Sequence, residues 1–234
     1  MSPTPRPQPR DLDRTRADIL QVATQHFTRK GFFGARVDEI AAATSTTKRM
    51  IYYCYGSKDG LFSACLHAAY AQIREFERTL HLEVLPPREA IARYVRETVR
   101  YHEAHPELAL LVRSENALDA VHLRDSDSLL YQSIAATLDA VLDRGRASGE
   151  FRTDATGVAV HVAVTALANF RITNEASIRA LFGFRTRDAA RLDSDLDQYA
   201  DMILGWLSAT PTNEAASLGH SAPPEPAIPP GGLS

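Results

Sequence analysis

Cysteine is scarce in this chain: two in 234 residues, Cys54 and Cys65. That excludes a disulfide-stapled scaffold and a cysteine-based metal site, and it makes a reducing cytoplasm the expected location. Long apolar runs are also missing. The richest stretch, Val158–Phe170, is interrupted by His161 and Asn169 and is too short to cross a bilayer, so it reads as a buried helix. No G-x-S-x-G, G-x-x-x-x-G-K-[ST] or G-x-G-x-x-G occurs. In His102-Glu103-Ala104-His105 the histidines stand three apart rather than four and Pro106 follows, which is not the zincin spacing. No enzyme activity, cofactor, metal or membrane contact is expected. Alternating β-branched runs bounded by hairpin turns are absent as well, which leaves an all-α chain.

Lysine is rarer than arginine, and its placement is informative. All three lysines, Lys30, Lys48 and Lys58, fall in the first 58 residues, a segment with ten Lys/Arg against five Asp/Glu and a net charge of +5. The remainder has 16 Arg against 24 Asp/Glu, a net charge of −8. A small basic segment on a larger acidic body points to a polyanionic partner for the former only.

The pattern gives about nine helices between two irregular ends. Residues 1–11 hold four prolines and no apolar segment follows them, so they are expected to form a mobile basic arm, not a signal peptide. Residues 210–234 are rich in Pro, Ser, Gly and Ala and are expected to be a disordered tail. Helices are expected at about 12–30, ending at Gly31, and at 37–44, 47–53, 57–80, 88–104, 107–119, 126–147, 154–172 and 193–208. Ser57 is placed as the N-cap of the fourth.

The segment Ala35–Phe62, ARVDEIAAATSTTKRMIYYCYGSKDGLF, carries the functional signal. Two short helices meet at Thr44-Ser45-Thr46, the spacing of a helix-turn-helix. Ile40, Ala41, Ile51 and Tyr55 face Phe27, Phe32 and Leu61, with Ala41–Ala43 allowing close packing. Thr46, Thr47, Lys48, Arg49, Tyr52 and Tyr53 are left pointing outward. Cations reach phosphates or guanine edges, hydroxyls reach phosphate oxygens, and aromatic edges meet thymine methyls. Lys58, at a helix N-terminus, is a candidate phosphate clamp, and Arg36 joins the DNA-binding set. A helical adaptor that binds only proteins would leave these residues without a use.

Ile19, Phe27, Lys30-Gly31-Phe32, Ile40-Ala41, Ile51-Tyr52-Tyr53-Cys54-Tyr55-Gly56-Ser57-Lys58 and Leu61-Phe62 together resemble the DNA-binding domain of the tetracycline-repressor-like (TetR) family. The resemblance is strong over residues 12–66 and otherwise rests on length and layout. Three positions depart from the family pattern. Ser45 stands where glycine is usual in the turn, Cys54 replaces a histidine, and Arg49 replaces a small residue. The resemblance implies residues 12–57 as the helix-turn-helix domain and 58–209 as a larger helical effector-binding and dimerisation domain. It also implies a homodimeric repressor, released from a palindromic operator by a small molecule.

Polar groups among apolar ones at helical spacing nominate Tyr94, Thr98, His102, Val112, Glu115, Asn116, Tyr131 and Ile134 for the effector. Two readings stand for Glu115 and Asn116, since either also suits a buried helix end or a subunit contact. His102 and His161 equally suit ordinary structural roles. Pairing through the last two helices, as the resemblance implies, nominates Val160, Val164, Ile203, Trp206 and Leu207, with burial inside one subunit as the alternative reading.

Overall fold

Helical period governs the chain throughout. The computed structural model describes residues 9–123, 129–152 and 154–208, with side chains from residue 12 onward except at 129–133. Among them are ten α-helices, two 3-10 turns and no strand: α1 Pro9–Gly34, α2 Val37–Ala43, α3 Lys48–Tyr55, α4 Lys58–Arg78, α5 Pro87–Ala104, α6 Glu107–Asn116, α7 Leu129–Ala147, α8 Gly157–Thr173, α9 Glu175–Phe182 and α10 Leu192–Ser208. The 3-10 turns are Leu82–Val84 and Ala189–Arg191. α1 begins at Pro9, inside the expected arm; the rest of that arm and the tail lie outside the described residues.

In α1, Ile19, Ala23 and Phe27 recur every four residues and are fully buried. Gly31 breaks the helix at φ 68°, a left-handed conformation that favours glycine, but one further turn follows before Gly34. Thr47 caps α3 by accepting from Met50 N at 3.2 Å, and Ser57 caps α4 by accepting from Gly60 N at 2.9 Å. A Cβ at Gly60 would run into the carbonyl oxygen of Tyr55, so only glycine lets the end of α3 lie against the first turn of α4.

Ser45 occupies the turn between α2 and α3 at φ 52°. An L-residue is disfavoured there by ~1–2 kcal/mol, whereas glycine enters freely and loses part of that gain in unfolded-state entropy. Ser45→Gly is therefore expected to stabilise the protein by about 0.5–1 kcal/mol. A urea midpoint that falls, with the slope unchanged, would contradict it.

Two cores result. Ile19, Phe27, Ile40, Ile51, Leu61 and Phe62 form the first, with the Phe27 and Phe62 rings edge to face at 4.9 Å. It also takes Leu66 from α4 and Leu111 from α6. Of the three alanines in α2, Ala41 is buried and Ala42 and Ala43 are exposed. The second core gathers Ile91, Val95, Leu138, Val141, Val160 and Ile203 around α5, which packs against α7, α8 and α10. The far end is pinned by Arg171, which donates to Glu103 at 2.7 Å and to Asp195 at 2.6 Å.

Candidate DNA-reading face, partner face and effector cavity

Ile51 anchors α3 in the first core, and the opposite face of this helix carries Lys48, Arg49, Tyr52 and Tyr53 into solvent. Tyr53 is 71% exposed, an arrangement that burial cannot explain. The two cations are not equivalent. Lys48 Nζ lies 3.0 Å from Asp38 of α2, which holds its pKa above the ordinary lysine value. Arg49 has no ion pair or hydrogen bond among the described residues. Lys30 is likewise engaged, 2.6 Å from Glu39, whose carboxyl is held below its usual range by that hydrogen bond.

Lys58 sits one residue beyond the cap of α4. Its Nζ lies 3.5 Å from the Phe33 carbonyl oxygen and 4.8 Å from the Phe32 ring centre, and burial lowers its pKa. Arg36 is exposed where α2 begins. Thr46 is half-buried, and the hydroxyl of the exposed Thr47 serves as the α3 cap. Tyr55 points back to α1, donating to the Arg16 carbonyl at 2.8 Å.

Behind this face α6 grips the reading unit. Ser114 Oγ accepts from Phe32 N at 2.9 Å. Glu115, wholly buried, accepts from His122 N at 2.6 Å and meets the His122 ring nitrogen at 2.8 Å. The ring of His122 lies 5.4 Å from Phe32 and 5.1 Å from Phe62. Its other nitrogen is 3.4 Å from Asp59 at the start of α4. One carboxylate thus holds the chain after α6 against the aromatic centre of the reading unit.

The opposite end of the molecule is bare and apolar. Val158, Val162, Ala166 and Phe170 stand four residues apart on α8 and are all exposed, beside exposed Met202 and Trp206 on α10. Exposed apolar residues on two neighbouring helices are of the kind that a partner surface covers.

Between these ends lies a cavity of about 180 Å³ bounded by α4, α5, α6 and α8. Its polar wall is Arg74, His102, His161, Thr165 and Asn169, and its apolar wall includes Ile73, Leu108 and Val112. A second, of about 260 Å³, lies on the other side of Arg74 against Glu77, Leu82 and Ile134. Tyr94 OH is 2.7 Å from His161 Nδ1. Burial lowers both imidazoles to about 4, helped for His102 by the neighbouring His161 ring and for His161 by the Arg74 guanidinium.

Comparison with known proteins agrees with this geometry. The family described as bacterial regulatory proteins, tetR family, matches residues 19–65, and the tetracyclin repressor-like C-terminal domain matches residues 87–203. The transcriptional repressor NicS of Pseudomonas putida is 30% identical over 197 residues, 83% of this chain and 93% of that one. The chain belongs to the tetR family. The transcriptional repressor SCO4008 of Streptomyces coelicolor is 35% identical over 105 residues, 44% of this chain and 50% of that one. A tetR-family regulatory protein from Rhodococcus RHA1 has the same fold, with a TM-score of 0.67 at 16% identity, covering 84% of this chain and 98% of that one. The relatives are regulators of transcription, and no helix among the described residues is long and apolar enough to cross a membrane.

In this tetR-family regulator, several expected residues take other places. Of the five nominated for pairing, Val160, Val164, Ile203 and Leu207 are buried inside the subunit, and only Trp206 faces out. α8 is apolar all round, so periodicity does not separate the side packed on α5 from the exposed side. Of the residues nominated for the ligand, His102 and Val112 line the smaller cavity and Ile134 the larger. Tyr94 and Thr98 are buried on the same side of α5. Glu115 instead faces His122 and Asn116 faces solvent, so neither lines a cavity. The side chain of Tyr131 lies outside the described residues. Arg74, Glu77 and Asn169 were missed. A charged pair three apart on a helix ordinarily marks a solvated face, and nothing in Arg74–Arg78 distinguishes its buried members from its exposed ones.

Proposed function

We propose that this chain is a cytoplasmic repressor without catalytic activity. It binds a palindromic operator as a homodimer and leaves it when a small molecule enters the cavity between α4, α5, α6 and α8. Residues 12–57 read DNA and residues 58–209 hold ligand and partner, with the first turns of α4 reaching across that boundary. The observation that carries this reading is α3. It is anchored by one buried isoleucine and offers two adjacent cations and two adjacent phenols to solvent. Two symmetry-related copies fit half-sites about 34–36 Å apart, or somewhat more. Ligand and operator binding are reciprocal: whatever factor a ligand takes from DNA affinity, DNA takes from ligand affinity.

Arg36, Thr46, Thr47, Lys48, Arg49, Tyr52, Tyr53 and Lys58 form the DNA contact set, with different tasks. Lys48 exchanges Asp38 for a phosphate, and Arg49, unpaired in the free protein, reads a base edge. Gel shifts with the DNA upstream of the chain's own gene test the reading. Affinity is expected to depend on sequence and to fall steeply with salt. Arg49→Ala is expected to relax preference at particular base pairs, losing about 1–3 kcal/mol of discrimination there. An equal loss on every sequence would make Arg49 a phosphate contact only.

A further inference from the structure

The buried ion pair on α4 points to the chemistry of the effector. Arg74 and Glu77 are 4% and 6% exposed, and Arg74 Nη1 donates to Glu77 Oε2 at 2.6 Å. An ion pair kept only for stability needs its remaining hydrogen-bonding capacity filled, because desolvation otherwise outweighs the attraction. Here it is not filled. Arg74 Nε and Glu77 Oε1 are buried without partners, and so are His102 Nδ1 and Asn169 Oδ1. Arg74, His102 and Asn169 come from three different helices and line the same cavity. Buried polar atoms are nearly always paired, so several orphans gathered around one cavity suit a polar ligand.

Charge narrows the class. Both histidines of the cavity are neutral at pH 7, while the guanidinium is always charged. Burial, opposed by Arg74, pushes Glu77 up to about 7, so the one cation of this wall faces a counter-charge present only part of the time. The guanidinium edge bearing Nε has no hydrogen-bond partner in the protein, and a carboxylate oxygen is the acceptor that suits it best. Volume limits the size: a cavity of roughly 150 Å³ admits a benzene ring, and this one holds about 180 Å³.

We propose that the effector is an organic monoanion about one ring in size. Arg74 holds its carboxylate, Ile73, Leu108 and Val112 flank its ring, and His102 and Asn169 meet a polar group at its far end. The proposal rests on this cavity being the effector site. The anion and the Glu77 carboxylate compete for one guanidinium, so binding favours protonated Glu77 and draws in a proton. The charged and titratable groups around Glu77 are Arg74 and Arg78 on α4, Glu83 in the turn, and Tyr94 and Tyr101 on α5; His161 lies on the other cavity beside Arg74. Affinity for the anion should therefore fall as pH rises from 7 to 9, when Glu77 regains its charge.

Calorimetry on the full-length protein, with benzoate, benzamide and benzylamine as probes, tests this. Benzoate is expected to bind at least about tenfold more tightly than the other two. Glu77→Gln should tighten benzoate binding at pH 8 and flatten its pH dependence. The neutral double variant Arg74→Gln with Glu77→Gln should lose benzoate binding while melting as a folded protein. A merely structural pair would produce no tightening in the single variant. Benzamide or benzylamine binding as well as benzoate, unchanged benzoate affinity in the double variant, or no binding of any probe would each overturn the proposal. The wider reading fails separately. If benzoate occupies the cavity through Arg74 but operator DNA stays bound, the anion site stands and ligand-controlled repression falls. If a neutral or cationic probe binds and releases DNA, the reverse holds.

Discussion

Val162→Glu is expected to leave the chain folded, to convert the dimer into a monomer and to lower operator affinity by about a hundredfold or more. Val162 is 58% exposed in the middle of the α8 stripe, between Val158 and Ala166, with Phe170 further along the same stripe and Trp206 exposed on α10. It lies outside the core of its own subunit, so a glutamate there meets water in the free chain. In the paired state the carboxylate would be desolvated among apolar groups with no cation to meet it, which is strongly unfavourable. The loss in DNA binding follows from geometry. When one half-site is engaged, the partner's α3 is delivered to the other at high effective concentration, an advantage of about 10²–10⁴ that a monomer forfeits. Light scattering beside gel shifts on one-half-site and two-half-site DNA measures both. An unchanged dimer mass, or a monomer with full operator affinity, would refute the assignment of this face.

Glu115→Ala should reduce stability by about 3 kcal/mol, since it strips a buried backbone N–H and a buried imidazole of one shared acceptor. For a chain of this size that corresponds to roughly 6–12 °C in Tm. The local backbone makes the site sensitive. Asp119 and Ala120 both hold left-handed φ angles, 59° and 56°, in the segment that Glu115 ties down. Strained residues of this kind persist only where their surroundings impose them. Without the carboxylate, His122 loses its fixed place against Phe32 and Phe62, and α6 loses its grip on the reading unit. The variant should therefore bind operator DNA with little response to ligand. A scanning calorimetry trace within about 2 °C of the parent, or intact ligand-driven release from DNA, would rule this out.

Much of this architecture was legible in the sequence because it depends on local chemistry. The helix at 12–30 was legible from its period, Ser57 marked the start of α4, and the outward residues of α3 stood out because two cations and two phenols do not suit a core. What escaped reading depends on contacts between distant segments. α9 was missed: it is only eight residues long, and Asn174 before it makes no side-chain capping bond. Ile203 and Trp206 share one apolar helix, and only the packing of α5 decides which of them turns inward. Glu115 and Arg74 have the opposite lesson. Each looks ordinary in sequence, and each acquires its role from a group on another element, His122 in the first case and the cavity wall in the second.

The confinement of lysine to the reading end gives amine chemistry an address. An acylating reagent finds side-chain amines only at Lys30, Lys48 and Lys58, so the acidic half carries no label. The three should also react unequally, because Asp38 keeps Lys48 protonated while partial burial gives Lys58 more free base at a given pH. Acetylation footprints taken with and without operator would thus report on the groove contact alone, free of any background from the ligand-holding body.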